Sequence, residues 1–130
     1  MLFAAHSGLR FLVLVGGLFV ILYAAVGFFG KREYSSAMAR LVYVFTGLIH
    51  LQVLVGFAAL FVRPFSTILI GHIFLMIAAA VVAQFTASVV KRRPPEERSY
   101  GPHLVGAILA MVFIALGIMA IGRGVLQSTL

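Results

Sequence analysis

The chain has 130 residues, of which 63% are hydrophobic and only 10% charged, with ten basic and three acidic side chains. A soluble domain of this size carries about 25% charged residues to keep its surface wet. The composition therefore excludes a soluble enzyme, a disordered segment and, despite a net charge of +7, a nucleic-acid module. The lack of cysteine removes disulfides, thiolate metal sites, covalent c-type haem attachment and dithiol chemistry.

Four runs, residues 11–30, 41–62, 64–90 and 101–122, hold no Asp, Glu, Lys or Arg. Each reaches the ~20 helical residues, at ~1.5 Å apiece, that a bilayer core of ~30 Å requires. Backbone in lipid must hydrogen-bond within its own segment, so the runs predict helices rather than strands. The predicted helices are 2–30, 40–62, 64–90 and 101–122. Gly30 before Lys31 and Arg32 suits the end of the first. Pro64 suits the start of the third, where a missing N–H costs nothing. Arg93 before Pro94 and Pro95 ends the third, and Ser99 and Pro102 open the fourth. Short connections force neighbours antiparallel, giving an all-α, up-down four-helix transmembrane bundle over a single domain, 1–130.

Loop charge orients the bundle. Lys31, Arg32, Arg40, Lys91, Arg92, Arg93 and Arg98 flank the first and third loops, whereas Arg63 and Arg123 mark the opposite side. The positive-inside rule places the basic loops in the cytoplasm and both termini on the outer, periplasmic side of a bacterial inner membrane. No basic stretch precedes the first apolar run, which speaks against a cleaved signal peptide.

Polar groups at membrane depth are costly and call for a reason. Each helix carries one histidine: His6, His50, His72 and His103. Arg10, Gln52 and Gln84 join them, but no carboxylate lies in any span, which argues against proton pumps and cation-coupled transporters. Counting rise from the basic loops puts His103 at the inner interface, where it is expected to meet water or headgroups, and His50 near the midplane. His6, Arg10 and His72 fall near the outer face, although straight helices leave His6 and His72 ~9 Å apart in depth. His6 and Arg10, four apart, share a helix face. Gln52 and Gln84 are expected to hydrogen-bond between helices.

Two opposed imidazoles hold a b-type haem without covalent attachment, and helical bundles hold cofactors between facing helices. The candidate set is His6 and His72 as iron ligands, Arg10 as a propionate partner, and His50 as a supporting or alternative ligand. The same imidazoles suit copper, the magnesium of a chlorophyll-type pigment, or a quinone carbonyl, and the residues alone leave that choice open. The rival class is a non-redox accessory subunit that packs on a larger membrane complex and binds lipid, quinone or pigment. No nucleophile, base and acid set is present, so catalysis by the chain itself is not expected.

The stretches HSGLRF at 6–11, HLQVLVG at 50–56 and GHIFLM at 71–76 resemble a family of small four-helix bacterial membrane proteins labelled cytochrome b-like. There the residue before the third-helix histidine is often Glu; here it is Gly71. HSGLRFLVLVGG, HLQVLVGFAALFV and GHIFLMIAAAVV are also similar, more distantly, to one half of heme A synthase. That resemblance implies a haem pair at His6 and His72. Leu2 stands where the synthase carries a Glu and only one half is present, so its oxygenase activity is not implied.

Overall fold

The computed structural model of the chain describes residues 2–62 and 64–122. Four helices follow in order: α1, Leu2–Phe29; α2, Ser36–Leu60; α3, Leu69–Arg92; and α4, Gly101–Ala120. A short 3-10 turn at Pro95–Glu97 precedes α4, and no strand occurs among the described residues. All four helices are long and apolar enough to cross a membrane. Arg63 and Arg123, which mark the sparsely charged side, lie outside the described residues.

Two helix starts differ from expectation, each through local hydrogen bonding. α2 begins at Ser36 rather than near residue 40, because Ser35 is its N-cap: its hydroxyl accepts from the Met38 N–H at 3.3 Å. α3 begins at Leu69, not at Pro64. The Ser66 hydroxyl accepts from the Ile68 N–H, and its carbonyl from the Leu69 N–H at 3.0 Å, so a turn takes donors that a helix would have used.

Helix ends also carry chemistry. α1 closes with the Arg32 N–H on the Gly27 carbonyl at 3.0 Å, which puts Lys31, not Gly30, in the left-handed region at φ 51°. At the end of α3 the Arg98 guanidinium donates to the carbonyls of Arg93 and Lys91, at 3.1 and 3.0 Å. A side chain thus meets carbonyls that the helix leaves without partners.

Each helix packs on its neighbours in sequence, and α1 closes the ring on α4. α1 and α3 therefore face each other across a diagonal. The α3–α4 seam is the closest and the α2–α3 seam the loosest. Small residues permit the close seams: Ala79, Ala83 and Ala87 on α3 and Gly106, Ala107 and Ala110 on α4 are all buried. A Cβ at Gly106 would stand 2.6 Å from Thr86 Oγ1. Large apolar side chains such as Leu12, Phe19, Phe74 and Phe85 point outward, as expected where the surroundings are lipid.

Candidate functional site

The end of the bundle away from the basic loops holds a cavity of about 300 Å³ between α1, α2 and α3. That volume stands at the lower end of ligand-sized pockets, ~300–1,000 Å³. Its walls are mainly apolar, with Phe3, Val53, Phe57, Met76 and Ile77 among them, while His6, Gln52 and His72 supply polar groups. A smaller chamber of about 60 Å³ shares both histidines and continues past Arg10, Val13, Ile49 and Ala79.

His6 on α1 and His72 on α3 meet across the diagonal, with ring centroids 6.2 Å apart and planes at 89°. The packing of the four helices thus brings the two rings together despite the depth mismatch expected from straight-helix counting. Two imidazoles bound to opposite sides of one metal atom, with metal–nitrogen bonds of ~2 Å, also have ring centres roughly 6 Å apart. Among the described residues no group of three or more His, Cys, Asp or Glu converges. The site therefore offers two nitrogen ligands and no closed metal shell.

Each ring is held by specific neighbours. His72 Nδ1 donates to the Gly117 carbonyl on α4 at 2.8 Å. That bond fixes the ring orientation and, in the neutral imidazole, leaves Nε2 as the lone-pair nitrogen. The Gly117 Cα can come this close because a Cβ there would collide with Met76. His6 is held through its backbone: Gln52 Nε2 on α2 donates to the His6 carbonyl at 2.7 Å. The His6 ring lies over Gly56, where a Cβ would be 2.9 Å from Cε1. His6 Nδ1 and Gln52 Oε1 are buried without a hydrogen-bond partner. Such atoms are costly unless a ligand meets them.

Arg10 is buried, 6% exposed, on the same α1 face as Ser7 and Val13, with its guanidinium 4.5 Å from the Phe11 ring centre. It lies inside the bundle rather than at the headgroups. His50 does not join this site. Its ring is exposed on the outer side of the α2–α3 seam, where Nε2 donates to Gln84 Oε1 at 2.9 Å. Gln52 and Gln84 do bond between helices as expected, but Gln52 also lines the cavity. Sequence reasoning missed Gly56 as the seat of the His6 ring and the Gly117 carbonyl as the partner of His72. Gly56 ends the HLQVLVG stretch, four residues after Gln52 and so on the same α2 face, and that spacing is the signal that could have found it.

His103 departs from the expected wet position. It is 3% exposed, and its Nε2 lies 2.8 Å from the Tyr34 hydroxyl. Tyr100 donates to the Glu33 carbonyl at 2.8 Å and packs beside Tyr23 and Tyr34. These side chains clasp the first loop onto the start of α4, at the end opposite the cavity. Burial pushes the Tyr34 hydroxyl above the ordinary tyrosine range, opposed in part by Arg98.

Compared with known protein families, curated proteins and solved structures, the chain shows no significant match.

Proposed function

We propose that this chain is an integral membrane protein that binds a b-type haem between His6 and His72 and serves electron transfer or haem holding within a larger respiratory or photosynthetic membrane complex. The observation that carries this reading is the diagonal pair itself, two imidazoles 6.2 Å apart inside a cavity in an otherwise apolar bundle. The fit is supported by the glycine seat under the His6 ring and by the bond to the Gly117 carbonyl that turns His72 Nε2 away from α4. When bound, the haem supplies a one-electron couple. The chain's own residues set the ligand orientation, keep water out with Phe3, Phe57 and Met76, and offer Arg10 to a propionate. The basic loops face the cytoplasm of a bacterial inner membrane on this reading.

The test is an optical spectrum of the protein in native membranes. A haem held by both histidines gives a low-spin spectrum with a sharp α-band on reduction. His6→Ala or His72→Ala should abolish the band or leave the iron high-spin, because one coordination position opens. His50→Ala and His103→Ala should leave it intact, since neither lines the cavity. Loss of the band in His50→Ala alone would move the haem out of the cavity. A protein with no haem band in its native membrane is instead a non-redox accessory subunit.

A further inference from the structure

We infer that the outer face of the α2–α3 seam is a homodimer interface, closed by a ring of four polar side chains, His50 and Gln84 from each of two copies. The inference stands apart from the haem reading and uses none of its residues. His50 and Gln84 are exposed on the outside of the bundle, well inside their helices, where the surrounding medium would be hydrocarbon. Polar groups at that depth normally face a bundle interior or a water-filled cavity. The internal bonding of this pair is incomplete. His50 Nε2 donates to Gln84 Oε1, and Gln84 Nε2 donates one hydrogen to Ser88 Oγ at 3.0 Å. A neutral His50 ring then keeps Nδ1 as an acceptor, and Gln84 keeps its second N–H as a donor.

One spare donor and one spare acceptor side by side are self-complementary under a twofold axis. Two copies in one membrane share an orientation, so the axis runs along the membrane normal and preserves depth. His50 and Gln84 are level, being bonded to each other. The axis therefore sets α2 against α3 of the second copy and brings each Gln84 N–H to the other copy's His50 Nδ1. A heterologous helix would need its own matching pair at this depth, whereas a second copy supplies it by symmetry. Gly47, one turn from His50, is exposed and a Cβ there would meet nothing within 4 Å. That notch lets a neighbouring helix approach closely. At the basic end of the seam the Lys91 ammonium rests over its own Tyr43 ring at 5.6 Å, which leaves the charge at the headgroup level.

The chain has no cysteine, so introduced thiols report without background. Two differently tagged variants, Leu54→Cys and Val81→Cys, are co-expressed and oxidised in native membranes with copper-phenanthroline. Both positions are lipid-facing, 68% and 60% exposed, so neither substitution disturbs the core. The control pair is Phe19→Cys with Val112→Cys, on outer faces of α1 and α4, 58% and 46% exposed. The expected result is a disulfide-linked product of both tags at about twice the 14.0 kDa of the chain, formed by the seam pair and not by the control pair. Adding His50→Leu and Gln84→Leu should lower the yield about tenfold, two symmetric contacts at roughly threefold each. No dimer from the seam pair, equal dimer from the control pair, or a yield indifferent to the Leu substitutions overturns the proposal. Seam adducts formed only with a different membrane protein overturn it as well.

Discussion

Gly56 on α2 lies directly beneath the imidazole of His6 on α1, so close that a Cβ would stand 2.9 Å from Cε1 and 3.3 Å from Nδ1. Helix interiors normally gain up to ~1 kcal/mol when Gly becomes Ala. Here the gain is opposed by a forced shift of the ring, and overpacking costs about 1–3 kcal/mol.

Gly56→Ala should therefore lower the melting temperature in detergent and displace His6 from His72. Haem titration of the variant should show weaker uptake than the parent. A variant as stable as the parent with unchanged uptake would show that the ring is not seated on α2.

The glycines also rank the seams. A Cβ at Gly106 would meet Thr86 Oγ1 at 2.6 Å and Thr86 Cβ at 2.9 Å, whereas at Gly47 and Gly8 nothing lies within 4 Å. Gly106→Ala should cost ~1–3 kcal/mol by prying α3 from α4. Gly8→Ala should raise stability by up to ~1 kcal/mol, through propensity alone. Thermal unfolding of the two variants side by side checks the order, and equal shifts would refute the tight α3–α4 seam.

How much of this was legible in the sequence depends on the range of the forces involved. Charge-free runs fix where helices can be, so four spans and an all-α bundle follow from hydropathy. The start of α2 was missed because the Ser35 cap lies ahead of Arg40, which hydropathy reads as the boundary. Pro64 was read as a helix start, but the Ser66 hydroxyl and carbonyl made a turn first. His6 and His72 stand out in the sequence as rare polar groups, yet their meeting depends on how α1 and α3 face each other across the bundle, which no single helix encodes. His103 was read as wet because depth says nothing about a loop folding over it. The Tyr34 hydroxyl that covers His103 lies 69 positions away in the chain.

That Tyr34 contact predicts a pH response. Burial raises the phenol above its usual value near 10, so the folded state disfavours the phenolate relative to the unfolded chain. The contribution is present in full below the unfolded value and is lost as pH rises through the folded one. Between pH 8 and 9 the parent should lose no stability from this group, and above about 10 it should lose progressively. Tyr34→Phe should flatten that alkaline loss while lowering stability at neutral pH through loss of the His103 contact. Melting curves of both proteins across this range provide the measurement, and identical alkaline slopes would reject the assignment.

Orientation is tested by reporters. An alkaline phosphatase fused after Gly122 should be active and a fluorescent protein at the same position dark, because the basic loops favour the cytoplasm. The reverse pattern would put the His6–His72 cavity at the cytoplasmic face.

Arg10 gives the sharpest separation between a site residue and a lipid-anchoring one. An arginine near a helix end commonly snorkels to the headgroups, and replacing it then changes little beyond insertion. This one is 6% exposed and lines the chamber that continues from the two histidines. Arg10→Leu makes α1 more apolar, so membrane insertion should be equal or better. Haem occupancy should nevertheless fall, because a buried propionate would lose its charged partner; removing one member of a buried pair costs about 3–5 kcal/mol. Arg10→Lys keeps the charge but not the planar fork, and should recover only part of the occupancy. Quantifying haem per inserted protein in native membranes for the three chains distinguishes the cases. Equal occupancy in parent and Arg10→Leu would remove Arg10 from the site and leave His6 and His72 to carry it alone.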